Sequence, residues 1–499
     1  MMKLQNQIMG RHRKAVCLMG VLSILLSMIS CTEEIISDDP TLRLSFSHDS
    51  VCFDTVFTDM GSSTKRMLVY NPNKNAIKIQ QVRMQDGQYF RINVDGENEM
   101  DNLRNLTLQG GDSVFIFIRT DIDIQHSNAP VLIEDSIVFM VNGHQQHVYL
   151  QAYGQDVEIL RNEEKLMVYD RLILNKQKPY LIYDTIVVQG LLSIQEGTTL
   201  YMHQGAMIYA YGTVYANGTL EEPIVIRGDR TDRLFDSVPY RVASGQWGGI
   251  YLVHQNGTPR PTHHLKHIEI LSGTVGLYVI SESTTHLPTL SLQNARIHNH
   301  SEYGLVLQNV DATVANTEIS NCASYCVYLA GGKHYFVHNT IASYFGFPYT
   351  TINIHSNKTR EDVAAVYINN LSKSMAPTET SFYNCIISGA RKNNVVVATP
   401  LPTYYSGNFV GNYLQCDSLS VDYAKNNVYA SDLDTVVFRN VHYLLKEYRY
   451  YDFQLDSISP ARGVADSTIA LSYPYDRLGH RRKIKPDAGC YEFIDENKE

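Results

Sequence analysis

Residues 294–342 read NARIHNHSEYGLVLQNVDATVANTEISNCASYCVYLAGGKHYFVHNTIA, and their spacing decides the fold. Asn294-Ala-Arg-Ile297, Asn316-Thr-Glu-Ile319 and Asn339-Thr-Ile-Ala342 fall 22 and then 23 residues apart, and the tetrads GLVL (304–307) and CVYL (326–329) repeat the interval of 22. A period in the low twenties, made of short strands between Asn and Gly, predicts a parallel β-helix, in which each turn stacks on the last and strand edges are consumed internally. The frame extends to HIEI (267–270), GLYVI (276–280), AVYIN (365–369), NCII (384–387) and NVVVA (394–398). Its widest gap, residues 345–362, reads as an insertion at a coil corner.

Strand alternation then assigns faces. Leu277, Val279, Leu305, Leu307, Val327, Leu329, Val366 and Ile368 are expected to point inward, and Tyr278, Val306, Tyr328 and Tyr367 outward. Tyrosines on neighbouring rungs would stand about 4.8 Å apart, an aromatic surface with polar tips that suits sugar rings and protein interfaces alike. Tyr278, Tyr328 and Tyr367 are therefore the candidate ligand-binding residues, unless the insertion folds over them. Asn294, Asn316 and Asn339 are expected to stack as a ladder at one corner.

Acids are thin in the regular coils. Glu269, Arg296 and Glu318 fall in register, one per coil and facing out, and read as an exposed ion-pair ladder worth about 0–1 kcal/mol per pair. Glu269 and Glu318 are also the weak catalytic candidates, should the scaffold carry a hydrolase or lyase, because such chemistry needs carboxyls gathered on one face. The histidines at 263, 264, 267, 298, 300, 334 and 338 could line a metal or proton-transfer site, but their spacing matches no metal motif. No metal and no cofactor is expected. Trp247, the one tryptophan, sits in GQWGGIYL (245–252), where glycines let backbones approach and a large ring can fill a corner. Packing is the expected role, against a ligand-stacking platform.

Upstream, residues 41–156 alternate strand and turn with no helical period, which predicts an antiparallel sandwich of immunoglobulin-like size. The whole chain is thus expected to be all-β: an immunoglobulin-like β-sandwich at 41–156, a right-handed parallel β-helix at 160–445, and a segment at 446–499 capping the open end of the solenoid. Residues 1–30 read as an export signal, since Arg11, His12, Arg13 and Lys14 precede an apolar run too short for a comfortable membrane span. Its loss removes four basic residues from 42 and no acid from 51, taking the net charge from −9 to −13. That balance argues against nucleic acid and against a general grip on polyanions, while leaving room for a local basic groove. Cys52, Cys322, Cys326, Cys385, Cys416 and Cys490 show no zinc-type pairs. Cys322 and Cys326 are expected as buried free thiols, with a disulfide as the alternative.

Four segments carry a resemblance to a known family. SMISCTEE (27–34) resembles a bacterial lipoprotein processing site with Cys31 as the lipidated residue. Glu33 and Glu34 are similar to the acidic surface-export signal of Bacteroidetes lipoproteins, and residues 31–40 would be a linker. KPYLIYDTIVVQGLLSIQEGTTLYM (178–202), GQWGGIYL and the tail PDAGCYEF (486–493) look like the right-handed parallel β-helix lipoproteins of Bacteroidetes. The resemblance implies a fold, an outer-membrane lipid anchor and exposure at the cell surface, and carries no activity. Asp-Ser/Thr followed by an aliphatic residue or Thr, recurring from Asp49 to Asp466, resembles the O-glycosylation sequon of the same group, although Asp-Ser and Asp-Thr also open strands after turns. The functional expectation is non-catalytic binding of a glycan or a neighbouring surface protein. The alternatives are a polysaccharide lyase or hydrolase and a structural stalk.

Overall fold

The computed structural model describes residues 36–96, 103–235, 238–345, 363–370, 375–398, 402–419, 421–433, 435–441 and 451–495. The lipidation candidate Cys31, the pair Glu33 and Glu34, and all but Phe345 of the 345–362 insertion lie outside them. The described residues are 52% strand and 2% helix, which places the protein in the all-β class. It divides into two units, residues 1–125 with 130–154, and residues 126–129 with 155–499.

In the first unit, four antiparallel strands (Ser45–Phe46, Lys65–Tyr70, Phe90–Val94, Ser113–Thr120) form one sheet, and five (Ser50–Phe57, Ile77–Met84, Leu103–Leu108, Val131–Val141, His144–Gln155) form another. The alternation in SVFIFIRT buries Val114, Ile116 and Ile118 with Met67, Val69, Phe139 and Leu150 in one core. Asn142 and Gly143, both at positive φ, close the hairpin between Val131–Val141 and His144–Gln155; a two-residue Asn-Gly turn matches the twist of the strands it joins.

The second unit is the parallel β-helix, and each coil lays down three strands. Face one runs through Ile268–Leu271, Arg296–His300, Glu318–Cys322, Thr340–Ser343 and Ile386–Gly389. Face two runs through Gly249–His254, Leu277–Ser281, Leu305–Gln308, Val327–Ala330 and Val366–Asn369, and face three through Thr289–Gln293, Asp311–Ala315, Gly332–Val337 and Thr378–Tyr383. Among the described residues face one is an eleven-stranded sheet, and faces two and three run together as a seventeen-stranded one. The eight residues expected inward are all fully buried. Inside face three Phe336, Phe382 and Phe409 stack at 4.8 and 4.9 Å.

Two expectations are corrected here. The asparagine ladder is two columns, not one. His267, Asn294, Asn316, His338 and Asn384 share the corner before face one, all with φ between 45° and 55°, the left-handed conformation that Asn adopts at lower cost than most residues. Asn339 sits one residue further on, in a second column with Asn412 and Asn427. There each side-chain oxygen accepts from a neighbouring coil's backbone, as from Thr317 N to Asn339 (2.9 Å) and Cys385 N to Asn412 (2.7 Å). The interval of 23 is that one-residue displacement.

The C-terminal segment does not simply cap the open end. Residues 451–495 lie lengthwise against face one. Arg477 bonds Glu269 at 2.8 Å and the Ala295 carbonyl at 3.1 Å, Arg482 bonds Asn316 at 2.8 Å, and Gly489 N donates to the Asn384 carbonyl at 2.8 Å. Phe453, Ala488, Cys490 and Tyr491 share a core with Ala342, Ile386 and Tyr413. The segment straps the side of successive coils because its apolar and ionic partners are spaced along that face.

Candidate functional site

The outward residues of face two form a tyrosine stripe. Strand pairing places Tyr209, Tyr251, Tyr278, Val306, Tyr328 and Tyr367 on successive rungs of one column. Ring centroids are 4.8 Å apart for Tyr209 and Tyr251, 5.7 Å for Tyr251 and Tyr278, and 5.7 Å for Tyr328 and Tyr367, with planes within 26° of parallel. Tyr303 and Tyr325, at the preceding corner, flank the stripe, and Tyr325 stacks on Tyr367 at 4.8 Å. All seven tyrosines are half-buried. Within the stacks of Tyr209, Tyr251 and Tyr278 and of Tyr328 and Tyr367, neighbours occupy the ring faces, and the buried Val306 separates the two. Burial, followed by the neighbouring phenols, raises the pKa of Tyr251 to about 12 and shifts Tyr278 and Tyr367 in the same direction, so these hydroxyls remain neutral donors. Asn369 donates to the Tyr328 hydroxyl at 2.6 Å.

The sequence located Tyr278, Tyr328 and Tyr367 in this column and missed Tyr209, Tyr251, Tyr303 and Tyr325. Tyr251 was legible in GQWGGIYL, two residues into a strand; Tyr209 was not, since 42 residues separate it from its neighbour on the next rung.

Glu269, Arg296 and Glu318 are in register as expected, but they are not an exposed ladder. Glu318 has 3% of its side chain exposed; one carboxylate oxygen accepts from Arg296 Nε at 3.0 Å and from the Ser320 hydroxyl at 2.6 Å, and the other accepts from the Tyr491 hydroxyl. Glu269 turns to Arg477. The strap has covered the ladder, which the alternation of a single strand could not reveal. Burial raises the Glu318 pKa, but Arg296, His298 and Arg477 outweigh it and bring it to about 2. An acid so held is a poor proton donor near neutrality.

Beside this ladder a cavity of about 310 Å³ opens on face one, lined by Arg227, Arg241, Gln246, Glu269, Arg296, His298, Asn299 and Tyr451 among others. Trp247 lies behind its wall, fully buried, donating its indole N–H to the Leu271 carbonyl at 2.9 Å, with Gly273 leaving room for the ring. Its role is packing. The histidines do not gather. His263 and His334 point into the core of face three, His300 and His338 are buried at corners, and burial depresses His298 and His334 to about 3 and His263 and His300 to about 4. They are neutral at physiological pH. Cys322 and Cys326 are buried free thiols.

Residues 248–410 match the family model for the right handed beta helix region. No curated protein matches the chain. Among solved structures, a family 123 glycoside hydrolase from Clostridium perfringens aligns at 8% identity and a TM-score of 0.17, over 25% of this chain and 31% of that one. The ASH/PapD-like domain of human CEP192 aligns at 13% identity and a TM-score of 0.17, over 27% of this chain and 97% of that one. The chain thus spans less than a third of the first of these structures, and likenesses this distant carry no argument about activity.

Proposed function

We propose that the protein is a non-catalytic binding protein of the cell surface, held to the outer membrane by acyl chains on Cys31, with an immunoglobulin-like N-terminal unit as spacer and the tyrosine stripe of the β-helix as its ligand face. The observation that carries the reading is the stripe itself. From Tyr209 to Tyr367 it crosses five rung intervals of about 4.8 Å, or about 24 Å. Pre-stacked tyrosines lose little side-chain entropy when a partner arrives, and their hydroxyls and ring edges suit a surface rich in hydroxyls. A glycan chain running along the solenoid fits that chemistry best, with a neighbouring surface protein as the other class of partner. Against catalysis stand the two carboxylates themselves, each held by an arginine.

The test is a glycan array probed with the full chain in detergent, with product analysis of every glycan bound. Retention without cleavage supports the reading. Turnover of a bound polysaccharide would replace it with the enzyme alternative, and retention of no glycan, together with capture of a single surface protein, would move it to the protein class.

A further inference from the structure

Face one carries a second surface, independent of the tyrosine stripe. Its cavity of about 310 Å³ is floored by outward side chains of successive coils and walled by the segment around Arg241 and by Tyr451. The charges around it do not cancel. Glu318 closes Arg296 at 3.0 Å and Arg477 closes Glu269 at 2.8 Å, which leaves Arg227 and Arg241.

Arg227 is half-buried. Its Nε and one terminal nitrogen donate to the carbonyls of Gly228 (3.2 Å) and Arg230 (2.9 Å), and its guanidinium lies 5.7 Å from the Tyr201 ring centroid. The nearby carboxylates are already engaged, Asp229 with His203 at 2.6 Å and Asp232 with Arg230 at 2.7 Å. Arg241 is exposed at the rim, and its side chain makes no ion pair or hydrogen bond among the described residues. Two guanidinium groups thus line one cavity with neither in an ion pair among the described residues, although the Glu269 carboxylate, held by Arg477, shares the lining. Like charges together in a partly desolvated site are unfavourable unless an anion joins them. Burial lowers the pKa of Arg227, with Arg241 adding to the shift and Tyr201 and Asp229 opposing it.

We propose that this cavity binds a small oxyanion, a carboxylate or sulfate group on a ligand of about one sugar ring, with Arg227 and Arg241 as its cationic contacts. A guanidinium fork matches the paired oxygens of either group. The volume lies at the lower end of small-molecule sites. Asn299, whose amide donates to the Val242 carbonyl at 2.7 Å, adds a polar wall.

Trp247 supplies the readout. It is the sole tryptophan, and its neighbour Gln246 and its hydrogen-bond partner Leu271 both line the cavity. Tryptophan emission of the full chain in detergent should be titrated with glucuronate, glucose 6-sulfate and neutral glucose, and the same ligands followed by calorimetry. Saturable binding of at least one anion, absent for glucose and weakened by added salt, is expected. Preference between the two anions tells carboxylate from sulfate. Arg241→Gln, at an exposed position, should weaken binding at least tenfold with an unchanged melting temperature. Arg227→Gln should weaken it further, read only where its melting curve matches the parent. If neither anion binds, if glucose binds equally, or if Arg241→Gln binds like the parent, the proposal is overturned. None of these results depends on the tyrosine stripe.

Discussion

Replacing Glu318 by Gln keeps the shape of the side chain and removes its charge, and the structure sets the cost. Arg296 Nε would lose its carboxylate at 3.0 Å, and the Tyr491 hydroxyl would lose an ionised acceptor. Breaking one side of a buried pair costs about 3–5 kcal/mol, and Arg296, with 27% of its side chain exposed, places this case at the lower end, about 3 kcal/mol. The pKa, shaped by the same contacts, gives a figure of the same size. A carboxyl lowered from 4.5 to about 2 on folding contributes roughly 3 kcal/mol near neutrality. Because the folded pKa is the lower one, that stability is fully present above about pH 5.5 and is lost as pH falls through 4.5 towards 2. Urea unfolding followed by Trp247 emission, on parent and Glu318→Gln at pH 7 and pH 3, measures both. The parent should be about 3 kcal/mol more stable at pH 7, with the gap narrowing at pH 3. Equal midpoints at pH 7 would refute the buried pair and restore an exposed ladder.

Trp247→Ala should destabilise the β-helix by about 3–5 kcal/mol, since it empties a fully buried site, and parent emission should be blue-shifted; a red, freely quenched emission would place the ring at the surface. Asn412→Ala strands the Cys385 N–H and the Phe382 carbonyl, bonded at 2.7 and 2.8 Å. It should cost about 2–4 kcal/mol in chemical denaturation, and a loss below about 0.5 kcal/mol would show that the corner ladder is not a stabilising element. Cys31→Ala should move the protein from the membrane to the soluble fraction, because acyl chains supply the attachment; unchanged partitioning would rule the anchor out.

What could be read from the sequence was whatever repeats locally. The interval of 22 between Asn294 and Asn316 gives the coil length, and alternation within each strand gives the inward set and the outward tyrosines. The displacement of Asn339 by one residue was visible as an interval of 23, yet its meaning needed the strand register. Contacts between distant segments were not legible. Glu269 meets Arg477 across 208 residues and Glu318 meets Tyr491 across 173, so an outward position looked like an exposed one until the strap covered it. The arginine cavity was hidden for the same reason. Arg227 sits on a regular strand of face one and Arg241 in the long segment after it, and the coil from Ile226 to Ile270 spans 44 residues, so the interval of 22 did not bring them together.

The central claim is that the tyrosine hydroxyls on face two hold the ligand. The direct measurement is calorimetric affinity for the best glycan from the array, comparing the parent with the triple variant Tyr278→Phe, Tyr328→Phe and Tyr367→Phe. These changes retain the rings and their stacking and remove three hydroxyls, each worth about 0.5–1.5 kcal/mol. Affinity should fall at least about tenfold while the melting temperature stays within a few degrees of the parent. Parent-like affinity in a folded triple variant would contradict the claim.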